Sequence, residues 1–337
     1  MLVTLVAMVL EASTSSDAVR IKRCVRAIRL NCMSLLITGV AGFIGSHVAA
    51  KALTQGFSVY GVDDLSSGTL KNVPDGVSFS EMKVRDITPE ILLENHVEGI
   101  LHIAGQNGAA GSKNYPVLDA EINVLQTISL HAAAEKAGIT KFVYASSVAV
   151  YGEGEGMPPF KEDDATEPLS PYGVGKLSAE KYGHLFQKRN PESVYVALRL
   201  HNVYGPGQDI NNYDQGIVSI FLGQAINLGC IEVKGRPDRS RDLTYISDCT
   251  DAFMGALEVK VPGSYLFNVC TGSSVSVREI VDRIVEWRPG TKVTWGQQDV
   301  FDPITTVGDP SRIRGALGWE SKVDFYEGLS RTLKPQD

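Results

Sequence analysis

Residues 34–45 read Ser-Leu-Leu-Ile-Thr-Gly-Val-Ala-Gly-Phe-Ile-Gly, a short apolar run followed by glycines at 39, 42 and 45. The run predicts a strand, the glycines a turn, and the apolar spacing from 42 to 53 a helix. A tight turn, close approach of backbone N–H groups to a pyrophosphate, and close packing of helix on strand each exclude a Cβ. In a chain with 33 glycines the spacing alone says little, so its context decides. The next apolar stretch, 57–64 (FSVYGVDD), reads as a second strand ending at Asp63. A carboxylate there can accept both hydroxyls of an adenosine ribose and repels a 2′-phosphate. No Arg or Lys occurs from 64 to 70, which favours NAD over NADP. The competing reading has Asp63 and Asp64 capping a turn. Asp86 and Ile87, after the third strand, are candidates for adenine contact.

Outward from this unit, strand patterns recur at 99–104, 141–146 and 193–200, each preceded by a helical segment. Alternation of that kind predicts an α/β fold with a doubly wound parallel sheet, the Rossmann arrangement. Long helices are expected over 117–137 and 172–189. Gly, Pro, Asn and Asp cluster at 202–215 and 235–242, so a loop-rich, smaller C-terminal lobe is expected to take the substrate. The division is 33–200, with a returning segment at about 240–268, against 201–239 and 269–337.

Composition agrees with a globular chain: of 337 residues, 43% are hydrophobic and 21% charged, which excludes disordered and coiled-coil classes. A net charge of −7 without a basic block excludes a nucleic-acid partner. Residues 1–10 are apolar but too short to span a bilayer. Residues 1–32 are read as a tail outside the fold, or a start-site artefact, against the alternative of a weak membrane anchor. The five cysteines, Cys24, Cys32, Cys230, Cys249 and Cys270, are scattered and odd in number. They indicate neither a disulfide framework nor a metal site, and favour a reducing, cytoplasmic compartment.

Tyr172 and Lys176 lie one helical turn apart on one face. A phenol near 10 must fall by about 3 units to act as a base at neutral pH, which costs roughly 4 kcal/mol. One cation about 4 Å away at an effective dielectric near 20 supplies about that much. Ser147 follows the strand at 141–146, on the side where an open α/β sheet binds ligands. Its hydroxyl could hold a reacting oxygen while Tyr172 takes the proton. The plainer alternative is a solvated helical turn and a loop serine.

TGVAGFIGS, the acid after strand two, YASSVAVYGE, PYGVGK, LRLHNVYGPGQ, RDLTYISD and DPSRIRGALGW together resemble the extended short-chain dehydrogenase/reductase family. Within it the chain is similar to the NAD-dependent epimerase/dehydratase branch, close to the UDP-glucose 4-epimerases. The likeness runs from about residue 33 to the C-terminus. It implies that Phe43 and Ile44 offer backbone donors to the pyrophosphate and that Asp63 holds the adenosine ribose. Lys176 would contact the nicotinamide ribose as well as Tyr172, with Ala104 and Gly105 flanking the cofactor. Ser147 and Tyr172 would be the catalytic pair, and Asn123 would lie near them. Asn202 would contact the sugar nucleotide and Arg241 would grip its diphosphate; for Arg241 the alternative is a surface ion pair with Asp238 or Asp242. Asp302 aligns with a ribose-binding acid, and Thr306 with the position that limits the sugar's C2 substituent.

Two departures stand out. His201 replaces the Phe usual in 4-epimerases and reads best as a buried, hydrogen-bonded histidine, and the second phosphate-binding arginine is missing from 296–302. The implied function is C4 epimerisation of a UDP-hexose or UDP-N-acetylhexosamine. A dehydratase, decarboxylase or reductase of the same branch is the alternative; Val148 and Ala149 stand where eliminating relatives carry acids. A non-catalytic NAD-binding regulator is the reading from another class. The resemblance also implies a homodimer through the helices 117–137 and 172–189.

Overall fold

The computed structural model describes residues 33–106, 108–153, 158–213, 215–296 and 303–334. The tail 1–32, with Cys24 and Cys32, and the residues 297–302, with Asp302, lie outside the described residues. Strands β1 (Ser34–Thr38), β2 (Ser58–Asp63), β3 (Ser78–Glu81), β4 (Val97–His102), β5 (Lys141–Ser147), β6 (Val194–Leu200) and β7 (Gly263–Val269) form one sheet. Their order is β3-β2-β1-β4-β5-β6-β7, and every pairing is parallel. β1 and β6 are buried along their whole length, as strands covered on both faces must be, and both are continuous apolar runs apart from their polar ends and Arg199. The order of winding reverses between β1 and β4, which opens a crevice at their carboxyl ends.

Helices α1 (Phe43–Thr54), α2 (Gln126–Lys136), α3 (Pro171–Arg189), α4 (Ile246–Leu257) and α5 (Val277–Trp287) lie around the sheet and its second lobe, which also holds a helix at Ile217–Asn227. α1 and α4 cover one face through Val48, Ala49, Ala52, Ala252, Phe253 and Ala256. α2 and α3 cover the other through Leu130, Ala133, Ala134 and Ala179. α3 starts where Pro171 follows Ser170, whose hydroxyl accepts from Gly173 N at 3.2 Å. The helix expected over 117–137 is interrupted: an α-turn at Pro116–Ala120 and a π-turn at Glu121–Leu125 precede α2. Such a turn adds a residue to the helical repeat and re-aims the side chain at its centre, here the buried Asn123.

A second core gathers Val218, Phe221, Leu222, Ile231, Ile280 and Ile284. The two-residue strand Ser240–Arg241 lies between Val275–Ser276 and Thr305–Thr306, while Ile313 and Trp319 return to the core of the main sheet. Among the described residues, no helix is long and apolar enough to cross a membrane.

Candidate active site

The glycine turn meets the demands of a tight turn and of helix-on-strand packing at two different glycines. Gly39 has φ +73°, and a Cβ there would stand 2.7 Å from Ala104 N. A Cβ on Gly45 would fall 1.9 Å from Gly39 O, so glycine is what lets α1 lie on β1. At Gly42 the single near atom is Gly39 O at 3.3 Å, which leaves the rest of that face open for a ligand backbone-close to the first N–H groups of α1, at Phe43 and Ile44. Asp63 closes the crevice on the β2 side. One carboxylate oxygen accepts from Ala41 N at 3.0 Å and the other from Leu65 N at 2.9 Å, so it caps a turn and retains lone pairs for a diol. Burial outweighs those bonds and raises its pKa above the ordinary carboxylate value. Asp86 is exposed beside β3, whereas the Ile87 side chain is buried in the core.

Ala104 and Gly105 follow β4 and form the shared wall of the site. Ala104 N donates to Thr38 O at 3.1 Å. A Cβ on Gly105 would meet Asn123 Oδ1 at 2.7 Å and Lys176 Nζ at 3.0 Å. The glycine turn and the start of α3 therefore meet across two residues.

Ser147 ends β5 and accepts from Ala149 N at 3.2 Å, and its hydroxyl is close enough to Tyr172 to pull the phenol's pKa down. Lys176 is buried; its ammonium donates to Ala145 O at 3.0 Å and lies 5.7 Å from the centre of the Tyr172 ring. Burial brings Lys176 down to about 8, against the pull of Asp119 and Glu180. The Tyr172 phenol differs from expectation: burial pushes it above 10, and the Ser147 hydroxyl reverses that only in part. The ammonium stacks beside the ring and bonds the β5 backbone, so the chain by itself does not make the phenolate.

Sequence reasoning missed several groups here. Thr127 donates to Asn123 O at 2.9 Å, so it accepts from His102 Nε2 at 2.9 Å, and His102 Nδ1 in turn accepts from Thr38 at 2.7 Å. That chain of bonds sets the tautomer, while burial, helped by the nearby Lys176 charge, keeps His102 neutral with its pKa well below 6.5. Behind Ser147, Ser146 donates to Glu180, which takes both prongs of Arg199 at 2.9 and 2.8 Å in the buried interior. Lone polar residues inside the apolar runs GILHIA and VYVALRL were the signal for His102 and Arg199.

Of the residues expected at the sugar nucleotide, Asn202, Arg241 and Thr306 lie together. Thr306 pairs in register with Arg241, and Asn202 Nδ2 donates to Thr306 Oγ1 at 3.1 Å. Asn202 adopts φ +28°, a conformation that Asn tolerates better than most residues. Arg241 is buried and donates to Pro303 O at 3.0 Å; burial and the nearby Arg239 bring it down to about 10. Its reading as a surface ion pair is corrected by this burial: Arg236 takes Asp238, and Asp242 is bound to Thr271 and Gly272. His201 is buried, donates from Nδ1 to Thr306 O at 2.9 Å, and thereby supports Thr306 from behind.

A family model described as NAD dependent epimerase/dehydratase family matches residues 35–270. A UDP-glucose 4-epimerase of Mycolicibacterium smegmatis is 33% identical over 317 residues, covering 90% of this chain and 98% of that protein. The crystal structure of a Thermotoga maritima UDP-glucose 4-epimerase with UDP-glucose superposes with a TM-score of 0.84 at 33% identity, covering 89% of this chain and 97% of that one. A Thermus thermophilus UDP-glucose 4-epimerase in complex with NAD gives a TM-score of 0.82 at 31% identity, with the same coverage of 89% and 97%.

Proposed function

The chain belongs to the NAD-dependent epimerase/dehydratase family, and from that premise we propose that it epimerises a nucleotide sugar at C4, its substrate a UDP-hexose or UDP-N-acetylhexosamine. The observation that carries the reading is the wall at Ala104 and Gly105, which touches the glycine turn on one side and Lys176 with Asn123 on the other. A dinucleotide on Gly39, Gly42 and Gly45 would end where Ser147 and Tyr172 stand. NAD fits these residues: an open face at Gly42, helix N–H groups at Phe43 and Ile44, an acid at Asp63, and the exposed Asp86 beyond it. Bound there, NAD supplies the hydride acceptor that oxidises C4 and later returns the hydride. Tyr172 takes the proton of the C4 hydroxyl and gives it back, while Ser147 holds the same oxygen. A positively charged nicotinamide held beside Tyr172 would add the phenolate stabilisation that Lys176 alone does not supply.

Asn202, Arg241 and Thr306 hold the nucleotide and sugar, with Asp302 at the ribose. A turn at Val148–Val150 follows Ser147 and places no carboxylate beside it, which favours epimerisation over elimination. We assign the nucleotide half to 33–200 with 240–268, and the substrate half to 201–239 and 269–337. Cytoplasmic residence belongs to the same proposal, supported by the free thiols of Cys230, Cys249 and Cys270. A homodimer is supported by Leu125, Val174, Tyr182 and Leu185, large apolar side chains exposed on the π-turn and α3.

The test is incubation of the purified protein and NAD with UDP-glucose, UDP-galactose and their N-acetylhexosamine counterparts. An isomer of unchanged mass is expected; loss of water or carbon dioxide overturns the reading.

A further inference from the structure

Two carboxylates act on Lys176: Glu180, one turn further along α3, and Asp119, from the turn Pro116–Ala120. Glu180 is compensated, since Arg199 forks onto both its oxygens and Ser146 donates to it. Asp119 is not. It is 1% exposed, its Oδ1 receives the Asn123 amide at 3.0 Å, and its Oδ2 has no hydrogen-bond partner. Leaving a buried carboxylate oxygen bare is costly, and it persists where the charge has a use. A Cβ on Gly175, the residue before Lys176, would come within 3.0 Å of that bare oxygen. A Cβ on Gly105 would meet both Asn123 Oδ1, also bare, and Lys176 Nζ. Two glycines thus hold open a buried space bordered by the carboxylate, the amide oxygen and the ammonium.

We propose that Asp119 is the counter-charge of the Tyr172–Lys176 pair, a positioning residue that sets the pH window in which the pair works. The kinetic part of this rests on the epimerase reading; the ionic part does not. Among the described residues, the titratable groups on β4, β5 and α3 that face Lys176 are neutral or paired. On β5 the Tyr144 ring stands 5.1 Å from the ammonium with its phenol held protonated by burial, and on β4 His102 is neutral. On α3, Glu180 is tied to Arg199, and Tyr172 is the group being set. Asp119 stabilises the charged lysine and opposes the phenolate. Removing its charge therefore moves both titrations the same way, to lower pH.

Asp119→Asn keeps the hydrogen bond from Asn123 and removes the charge. In UDP-hexose interconversion with NAD, both limbs of the kcat/KM profile should move toward acid by about one pH unit. A drop in rate with both limbs in place would mean a scaffolding role and overturn the proposal. Should the wild type interconvert no UDP-hexose, the epimerase reading fails, and Asp119 is then read from carbon-13 lysine NMR. The Lys176 signal, assigned by its loss in Lys176→Met, should titrate about one pH unit lower in Asp119→Asn; an unchanged titration refutes the counter-charge. If Asp119→Asn does not fold, Asp119→Ser, smaller and equally neutral, is measured in the same way.

Discussion

His131 stacks on Phe142 at 3.9 Å and on Phe186 at 4.9 Å, is buried, and leaves its Nε2 without a partner. Burial in that aromatic slot lowers its pKa to about 3. An unfolded histidine titrates near 6.5, so below that pH the unfolded chain binds a proton that the folded chain refuses. Stability should fall by about 1.4 kcal/mol per pH unit from 6.5 downward, until the folded value is reached. His131→Leu removes this component, so its loss of stability between pH 7 and pH 5 should be smaller than the wild type's by roughly 2 kcal/mol, read from urea midpoints. Equal acid sensitivity in the two proteins would contradict it. Tyr172 lies beside Ser147, and Tyr172→Phe keeps the ring while deleting the hydroxyl to which the proposed reaction assigns the proton transfer. Turnover should drop by about 10²–10⁴-fold with NAD binding and melting temperature unchanged.

At the scale of elements, the glycine turn separates folding from binding. In Gly45→Ala, backbone meets backbone, since the new Cβ would lie 1.9 Å from Gly39 O and α1 must move off β1. A loss of about 1–3 kcal/mol is expected together with weakened NAD binding. Gly42→Ala has a softer 3.3 Å approach, so calorimetry should find its melting temperature closer to wild type and its NAD affinity reduced. The turn, β1 and α3 were legible because what they require is local: a positive φ at Gly39, an apolar run, and Tyr172 and Lys176 four residues apart. The π-turn at Glu121–Leu125 was not, because its residues have ordinary helical character and the bulge is stabilised by the bond from Asn123 to Gln106 O, 17 residues away. Nor was the closure of Asn202 on Thr306, 104 residues apart, which depends on the register of two-residue strands with no periodicity of their own. The expected depression of the Tyr172 phenol failed for a related reason. Spacing places Lys176 on the right face, but the tertiary environment decides that its ammonium bonds Ala145 O and that desolvation dominates.

For the whole molecule, α3 is asymmetric in a way that a single chain does not use. Its inner face carries Lys176, Ala179 and Glu180 into the sheet, whereas Val174, Tyr182 and Leu185 are 51%, 41% and 54% exposed. Leu125 and Leu118, from the segment beside it, add 59% and 48% exposed side chains. An apolar surface of this extent on adjoining helices is the pattern of a protein interface, since scattered exposed leucines need no explanation but contiguous ones do. A twofold pairing would set α3 and the segment before α2 against their copies, each interface placed behind the helix that carries Tyr172 and Lys176. Light scattering behind size exclusion should report twice the chain mass. Leu185→Asp, which puts a charge into that patch without touching Tyr172 or Lys176, should halve it and lower the melting temperature. If the wild type runs as a monomer at micromolar concentration, the exposed face of α3 must be explained by something other than a second copy.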